Sequence, residues 1–108
     1  MASELLKVGL FPVVSTAEVK LIDGASGHTY TVLSITICET AGAAETFDLY
    51  IDDGDAGTDH YIYKDQAIGA KETFVHNDRI VLEGTDMLGI VASSGDLDVV
   101  VSYLDQTL

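Results

Sequence analysis

The last third of the chain, residues 79–105, constrains the fold more than any other stretch. Arg-Ile-Val-Leu-Glu, Met-Leu-Gly-Ile-Val-Ala-Ser and Leu-Asp-Val-Val-Val-Ser-Tyr-Leu-Asp are apolar, β-branched runs separated by Gly-Thr-Asp and Ser-Gly-Asp. Short runs of this kind between turn clusters signal strands, and two short turns in succession predict an antiparallel meander. In the last run Leu97, Val99, Val101 and Tyr103 form one face, the core face by alternation. The opposite face carries Asp98, Val100, Ser102 and Leu104 and is only half polar. Val100 and Leu104 are therefore expected to meet another sheet, a loop or another subunit.

The earlier segments follow the same rule. Residues 17–22 alternate Val19 and Leu21 against Glu18 and Lys20, and a surface loop begins at Asp23-Gly24. In residues 29–38, Leu33, Ile35 and Ile37 share a face, whereas Tyr30 and Val32 lie in the opposite phase. A phase switch inside one strand predicts a bulge or a strand that passes between sheets. Residues 45–51 place Phe47, Leu49 and Ile51 on one face and are expected to pair with residues 29–38 as a hairpin. Further strands are expected at 60–65 and 72–76, with a turn-rich passage at 66–71.

The count is eight or nine short strands, with no sustained helical period and no internal repeat. The fold class is all-β, a two-layer antiparallel β-sandwich, because each one-sided strand needs a covering layer. With one Cys and no Trp, the landmarks of immunoglobulin domains are missing, which favours a jelly-roll-like strand order. Leu33, Ile35, Ile37, Phe47, Leu49, Ile51, Leu82, Leu88, Ile90, Val99 and Val101 are the expected core.

At 108 residues the chain is one domain, read as an N-terminal arm or edge strand over 1–16 and a sandwich over 17–108. The segment 5–14 is apolar but contains Gly9 and Pro12, and a proline cannot donate to a ladder. Together with the final strand it supplies the candidate interface residues Leu5, Leu6, Val8, Leu10, Phe11, Val100 and Leu104. Contiguous exposed apolar surface on a small protein usually marks an assembly contact.

Eighteen acidic against five basic side chains give a formal charge of −13. Nucleic acid is disfavoured as a partner, since affinity for phosphate backbones comes from Lys and Arg. A membrane is disfavoured too: an anionic surface would repel the chain, and no apolar run approaches the ~20 residues that span a bilayer. The start shows no signal-peptide pattern, so a cytoplasmic site of synthesis is expected.

Reaction chemistry is not legible. Residues 52–59, Asp-Asp-Gly-Asp-Ala-Gly-Thr-Asp, resemble a calcium loop. With Asp53 as first position, however, Gly57 stands where Asp or Asn is usual and Lys64 where the bidentate Glu belongs. A solvated turn is the expectation. His28, His60 and His76 lack ligand spacing and are expected at the surface. Cys38 is alone and lies in a strand, so it is expected as an inert, buried or half-buried thiol. Tyr61 and Tyr63 are expected on one face, where a cross-strand packed pair is commoner than a sugar platform. No nucleophile elbow, phosphate loop or dinucleotide fingerprint occurs, so no enzyme, cofactor or metal site is expected.

Residues 30–50, Tyr-Thr-Val-Leu-Ser-Ile-Thr-Ile-Cys-Glu-Thr-Ala-Gly-Ala-Ala-Glu-Thr-Phe-Asp-Leu-Tyr, resemble a pattern of strand, small-residue loop and second strand. With Leu-Glu-Gly-Thr-Asp-Met-Leu at 82–88 and Asp-Val-Val-Val-Ser-Tyr-Leu at 98–104, they are similar to small virion structural proteins of tailed bacteriophages, marine ones especially. The resemblance runs from about Val19 onward. It implies a capsid decoration (cement) protein bound to the major capsid protein or another virion protein, typically as a trimer, in a virion assembled in the bacterial cytoplasm. A tail, neck or fibre-associated module, with glycan binding as its activity, is the alternative it implies.

Overall fold

The computed structural model describes residues 3–54 and 57–107. Nine strands occur in the described residues: β1 (Ser3–Val14), β2 (Val19–Asp23), β3 (His28–Glu39), β4 (Glu45–Asp53), β5 (Thr58–Ile68), β6 (Thr73–His76), β7 (Ile80–Glu83), β8 (Met87–Ala92) and β9 (Leu97–Thr107). They form two antiparallel sheets. Sheet A has the order β1-β9-β3-β6, with β7 also on β3, and sheet B has the order β2-β8-β4-β5. Strands β6 and β7 pair with successive halves of β3 and act as one strand interrupted at 77–79. Joined in this way, the orders are those of a jelly roll, as expected.

The expected meander does not exist. Its three runs are β7 in sheet A, β8 in sheet B and β9 in sheet A again. A three-residue connection can fold a strand back on its neighbour or carry it across the ~10 Å between layers, and here it crosses. At the β7–β8 corner, Gly84 adopts φ 57° and Asp86 accepts a hydrogen bond from the Glu83 N–H at 3.2 Å. The expected β3–β4 hairpin fails for the same reason: β3 lies in sheet A, and β4 makes its hairpin with β5. The passage expected as turns at 66–71 is strand as far as Ile68, which is buried.

The phase switch in β3 is a bulge. Pairing with β9 is regular up to Val32, skips Leu33, and resumes at Ser34. Tyr30 and Val32 thus point inward on one side of the bulge, and Ile35 and Ile37 on the other. Leu33, expected in the core, is the extra residue and is 40% exposed. Ile51 is half-buried and packs against the core rather than lying within it. The other expected core residues are buried, with Val14, Leu21, Ile22, Ala92 and Leu97 added.

Between the layers, Phe47 and Tyr63 of sheet B meet Phe74 of sheet A edge-on, with ring centroids 5.0–6.3 Å apart. Aromatic contacts of this geometry add to the area they bury. Phe47 is the largest fully buried side chain. Phe47→Ala is expected to lower stability by about 3–5 kcal/mol through cavity formation, measured by urea denaturation with an unchanged m-value.

Candidate functional site

In an antiparallel pair, residues directly opposite share a face, so the register of sheet A defines its outer surface. One rank across the sheet is Leu10, Val100, Thr36 and Val75, and a second is Leu6, Leu104, Thr31 and Val81. Between them run Val8, Ser102 and Ser34. None of these positions is charged. Leu6, Leu10, Val8 and Val81 are 77%, 68%, 57% and 56% exposed. Beside the bulge, Leu6, Val8, Leu33, Ser102, Lys7 and Tyr103 line a hollow of about 380 Å³. Among the strand positions in this phase, charge falls at the two ends, with Asp98 at one and Glu4 and Glu83 at the other.

The seven candidate interface residues therefore divide. Leu6, Val8, Leu10, Val100 and Leu104 come together on this face. Leu5 and Phe11 pair with Asp105 and Val99 and lie in the opposite phase, where Phe11 packs against the core and Leu5 is exposed. Val75 and Val81 belong to the patch and were missed. Their signal was an apolar residue in the polar phase of a very short strand, flanked by Phe74 and His76 or by Ile80 and Leu82.

The patch is held flat by its supports. β1 joins the sheet along β9 alone. Beneath the pair, the buried Asp105 carboxylate accepts from Lys7 Nζ at 2.9 Å and meets His28 Nδ1 at 2.7 Å, tying β1, β9 and β3 together. The His28 hydrogen bond first, then that of Lys7, holds the Asp105 carboxyl below its ordinary range, and Asp105 in turn raises the Lys7 ammonium. At the far end of β3, Glu39 is fully buried. Its carboxylate accepts from the backbone N–H groups of Ala41, Gly42, Ala43 and Lys71 at 2.8–3.2 Å. These donors, Lys71 foremost, hold it below its ordinary value of 4.5 against the effect of burial. Asp105 does not announce itself in the sequence, because its partners come from distant strands, and Glu39 draws three donors from the loop that follows it and one from the distant Lys71.

Sheet B presents a different outer face. Tyr50 lies over Gly89, where a Cβ would come within 2.8 Å of the ring, and donates its hydroxyl proton to Glu18. Burial first, then Glu18, pushes the phenol well above its ordinary value. The Tyr61 ring meets Tyr50 at a tilt of 58° with centroids 5.6 Å apart, and Lys64 Nζ sits 4.6 Å over the Tyr61 ring. Tyr61 and Tyr63 do not share a face. A register shift between Leu49 and Tyr50 sends Tyr61 outward and Tyr63 into the aromatic cluster.

The histidines are corrected likewise. His76 is buried and hydrogen-bonds the Tyr63 hydroxyl at 2.7 Å, because Ile35 draws its partner inward in register. His28 is half-buried on Asp105, and only His60 is exposed. Cys38 is half-buried in β3.

The acidic segment is the β4–β5 hairpin. Asp52 and Asp53 end one strand, Thr58 and Asp59 begin the other, and Asp55 and Ala56 lie outside the described residues. Among the described residues, no three His, Cys, Asp or Glu side chains gather in a ligand-like group. A hollow of about 750 Å³ nearby collects Asp53, His60, Glu83 and Asp86, but Asp86 already accepts from the Glu83 and Gly54 N–H groups.

No protein-family model matches the sequence, and no curated protein matches it. Solved structures match by fold. One from the Gx strain of infectious bursal disease virus has a TM-score of 0.56 at 14% identity, covering 100% of this chain and 32% of that one. The chain thus spans about a third of that protein's length. A pilus protein from Bacillus endospore appendages gives 0.53 at 14% identity, covering 100% and 91%. The Drosophila NLP core, described for pentamer formation and histone binding, gives 0.55 at 9% identity, covering 94% and 95%. At these identities the likeness is one of fold.

Glu39 generates a pH prediction. Its folded-state pKa lies below the unfolded value, so its stabilisation is complete above ordinary carboxylate pKa values and is lost as pH falls through the folded-state value. Glu39→Gln is expected to melt lower than the parent at pH 7. The gap should close below pH ~4, in thermal melts followed by circular dichroism across pH.

Proposed function

We propose that the protein is a structural component of a virion, a decoration protein that seats on the outer surface of a tailed-phage head through the outer face of sheet A. The observation that carries this reading is an uncharged apolar surface crossing the whole sheet, in a chain whose formal charge is −13. A face of that kind is depleted of charge in the way interface cores are. The remaining acidic surface suits the outside of a head, because the inside faces nucleic-acid phosphate. The resemblance of residues 30–50, 82–88 and 98–104 to phage virion proteins supports the same reading, as does the likeness of fold to a protein of a virus particle.

In this role residues 1–16 contribute the contact element and 17–108 the body. The partner is the major capsid protein or another virion protein, and a three-fold ring of copies suits the three-fold positions of a shell. Assembly takes place in the host bacterial cytoplasm, and the reading assigns the protein no reaction. A tail, neck or fibre position would use the same face. Glycan binding has less to support it, because Tyr61, though half exposed, already contacts the Tyr50 ring and the Lys64 ammonium.

The test is direct. Val100 and Val75 sit on the face and are well exposed, so Val100→Asp with Val75→Asp leaves the core intact. Losing about 1.5 kcal/mol at each buried valine is expected to weaken binding to purified heads by roughly a hundredfold. Unchanged occupancy by quantitative mass spectrometry would sink the reading. A copy number far below that of the shell protein would move the assignment to the tail or neck.

A further inference from the structure

A sheet edge is a row of unpaired N–H and C=O groups, and proteins normally blunt it with brevity, charge, bulges or proline. Three of the edges here are blunted. β2 has 5 residues, while β6 and β7 have 4 each. β5 carries Asp59, His60, Lys64 and Asp65, with two register shifts against β4 and a left-handed Asp65 at φ 52°. β1 is different: it runs for 12 residues at the end of sheet A, in unbroken register with β9 from Ser3 to Phe11, and irregularity appears only beyond. Between Leu5 and Phe11 it holds one charged side chain, Lys7, whose ammonium is neutralised by Asp105.

We propose that this edge pairs with the same edge of a second copy, β1 against β1 about a two-fold axis at Val8, so that sheet A continues across both chains. The register follows from the strand itself. Centred on Val8, Leu6 faces the second copy's Leu10, Leu5 faces Phe11, and Lys7 faces Gly9. Apolar residues meet on both faces, and the ammonium lies beside the position that has no side chain. Centred on Lys7, two ammonium groups would lie directly opposite, which is destabilising in a sheet. Centred on Leu6, Glu4 would face Val8 and Lys7 would face Leu5, and centred on Gly9, Lys7 would face Phe11; about Val8, Pro12 falls opposite Glu4 at the end of the paired stretch, where its missing N–H interrupts nothing within it. The strand is therefore complementary to itself in one register, as an isologous contact requires. The axis is normal to the sheet, so both apolar outer faces point the same way and remain free. The pairing stands on the free protein and does not rest on the virion reading.

The experiment uses cysteine cross-linking in a Cys38→Ser background, which leaves no other thiol. Directly opposed residues of an antiparallel pair have Cα atoms about 4.5–5.5 Å apart, within disulfide reach. Val8→Cys is expected to oxidise to a covalent dimer. Leu6→Cys and Leu10→Cys are each expected to give no covalent dimer alone and to cross-link when mixed. Independently, Val8→Lys and Val8→Glu should each be monomeric by light scattering, while an equal mixture should restore the dimer. Self-linking of Leu6→Cys as readily as of Val8→Cys would overturn the register. A monomeric mass for the parent protein at the highest soluble concentration would overturn the pairing itself.

Discussion

The structure depends on one extra residue in its central strand. In sheet A, β3 lies between β9 on one side and the successive strands β6 and β7 on the other. Uninterrupted alternation from Tyr30 to Ile37 would expose either Tyr30 and Val32 or Ile35 and Ile37, since a one-residue slip moves a strand's side chains to the other face. Inserting Leu33 resets the phase, so all four are buried against sheet B. The inserted residue has only the outer surface to occupy. The same bulge that completes the core therefore adds a leucine to the apolar face outside.

Two buried carboxylates fix what the apolar core cannot. Apolar packing is non-directional and would tolerate several placements of a strand attached along one edge. Asp105 removes that freedom for β1, because its charge must be matched by Lys7 and His28 at defined positions. Glu39 does the same for the loop after β3 and the turn before β6, gathering four of their N–H groups onto its buried carboxylate. Both anions act at places where the chain must be specific.

The two outer faces differ in chemistry, and the difference bears on function. Sheet B offers tyrosines already engaged with Glu18, Lys64 and one another, a surface satisfied within the molecule. Sheet A offers leucines and valines at 39–77% exposure that none of the described residues covers. Burial of that face gains roughly 25 cal/mol per Å² once a partner excludes water, and the acidic remainder of the surface confines association to it. A free β1 edge beside the face adds directional hydrogen bonding to an otherwise undirected contact.

Alternation of residue types determined the all-β class, the need for two layers, the bulge in β3, and the presence of Leu6, Leu10, Val100 and Leu104 in phases where polar residues were due. Each of these is a local property of consecutive side chains, and so it survives in one dimension. Tertiary structure alone decided which strand lies beside which. Backbone hydrogen bonding is nearly blind to sequence, and a three-residue turn serves a hairpin or a corner equally, so residues 79–105 read as a meander although their strands alternate between layers. The buried positions of His76, Glu39 and Asp105, and the inward turn of the half-buried Tyr63, were hidden for a related reason. Burying a charge is costly unless it is paired, and the partners of Asp105, Lys7 and His28, lie 98 and 77 residues away along the chain.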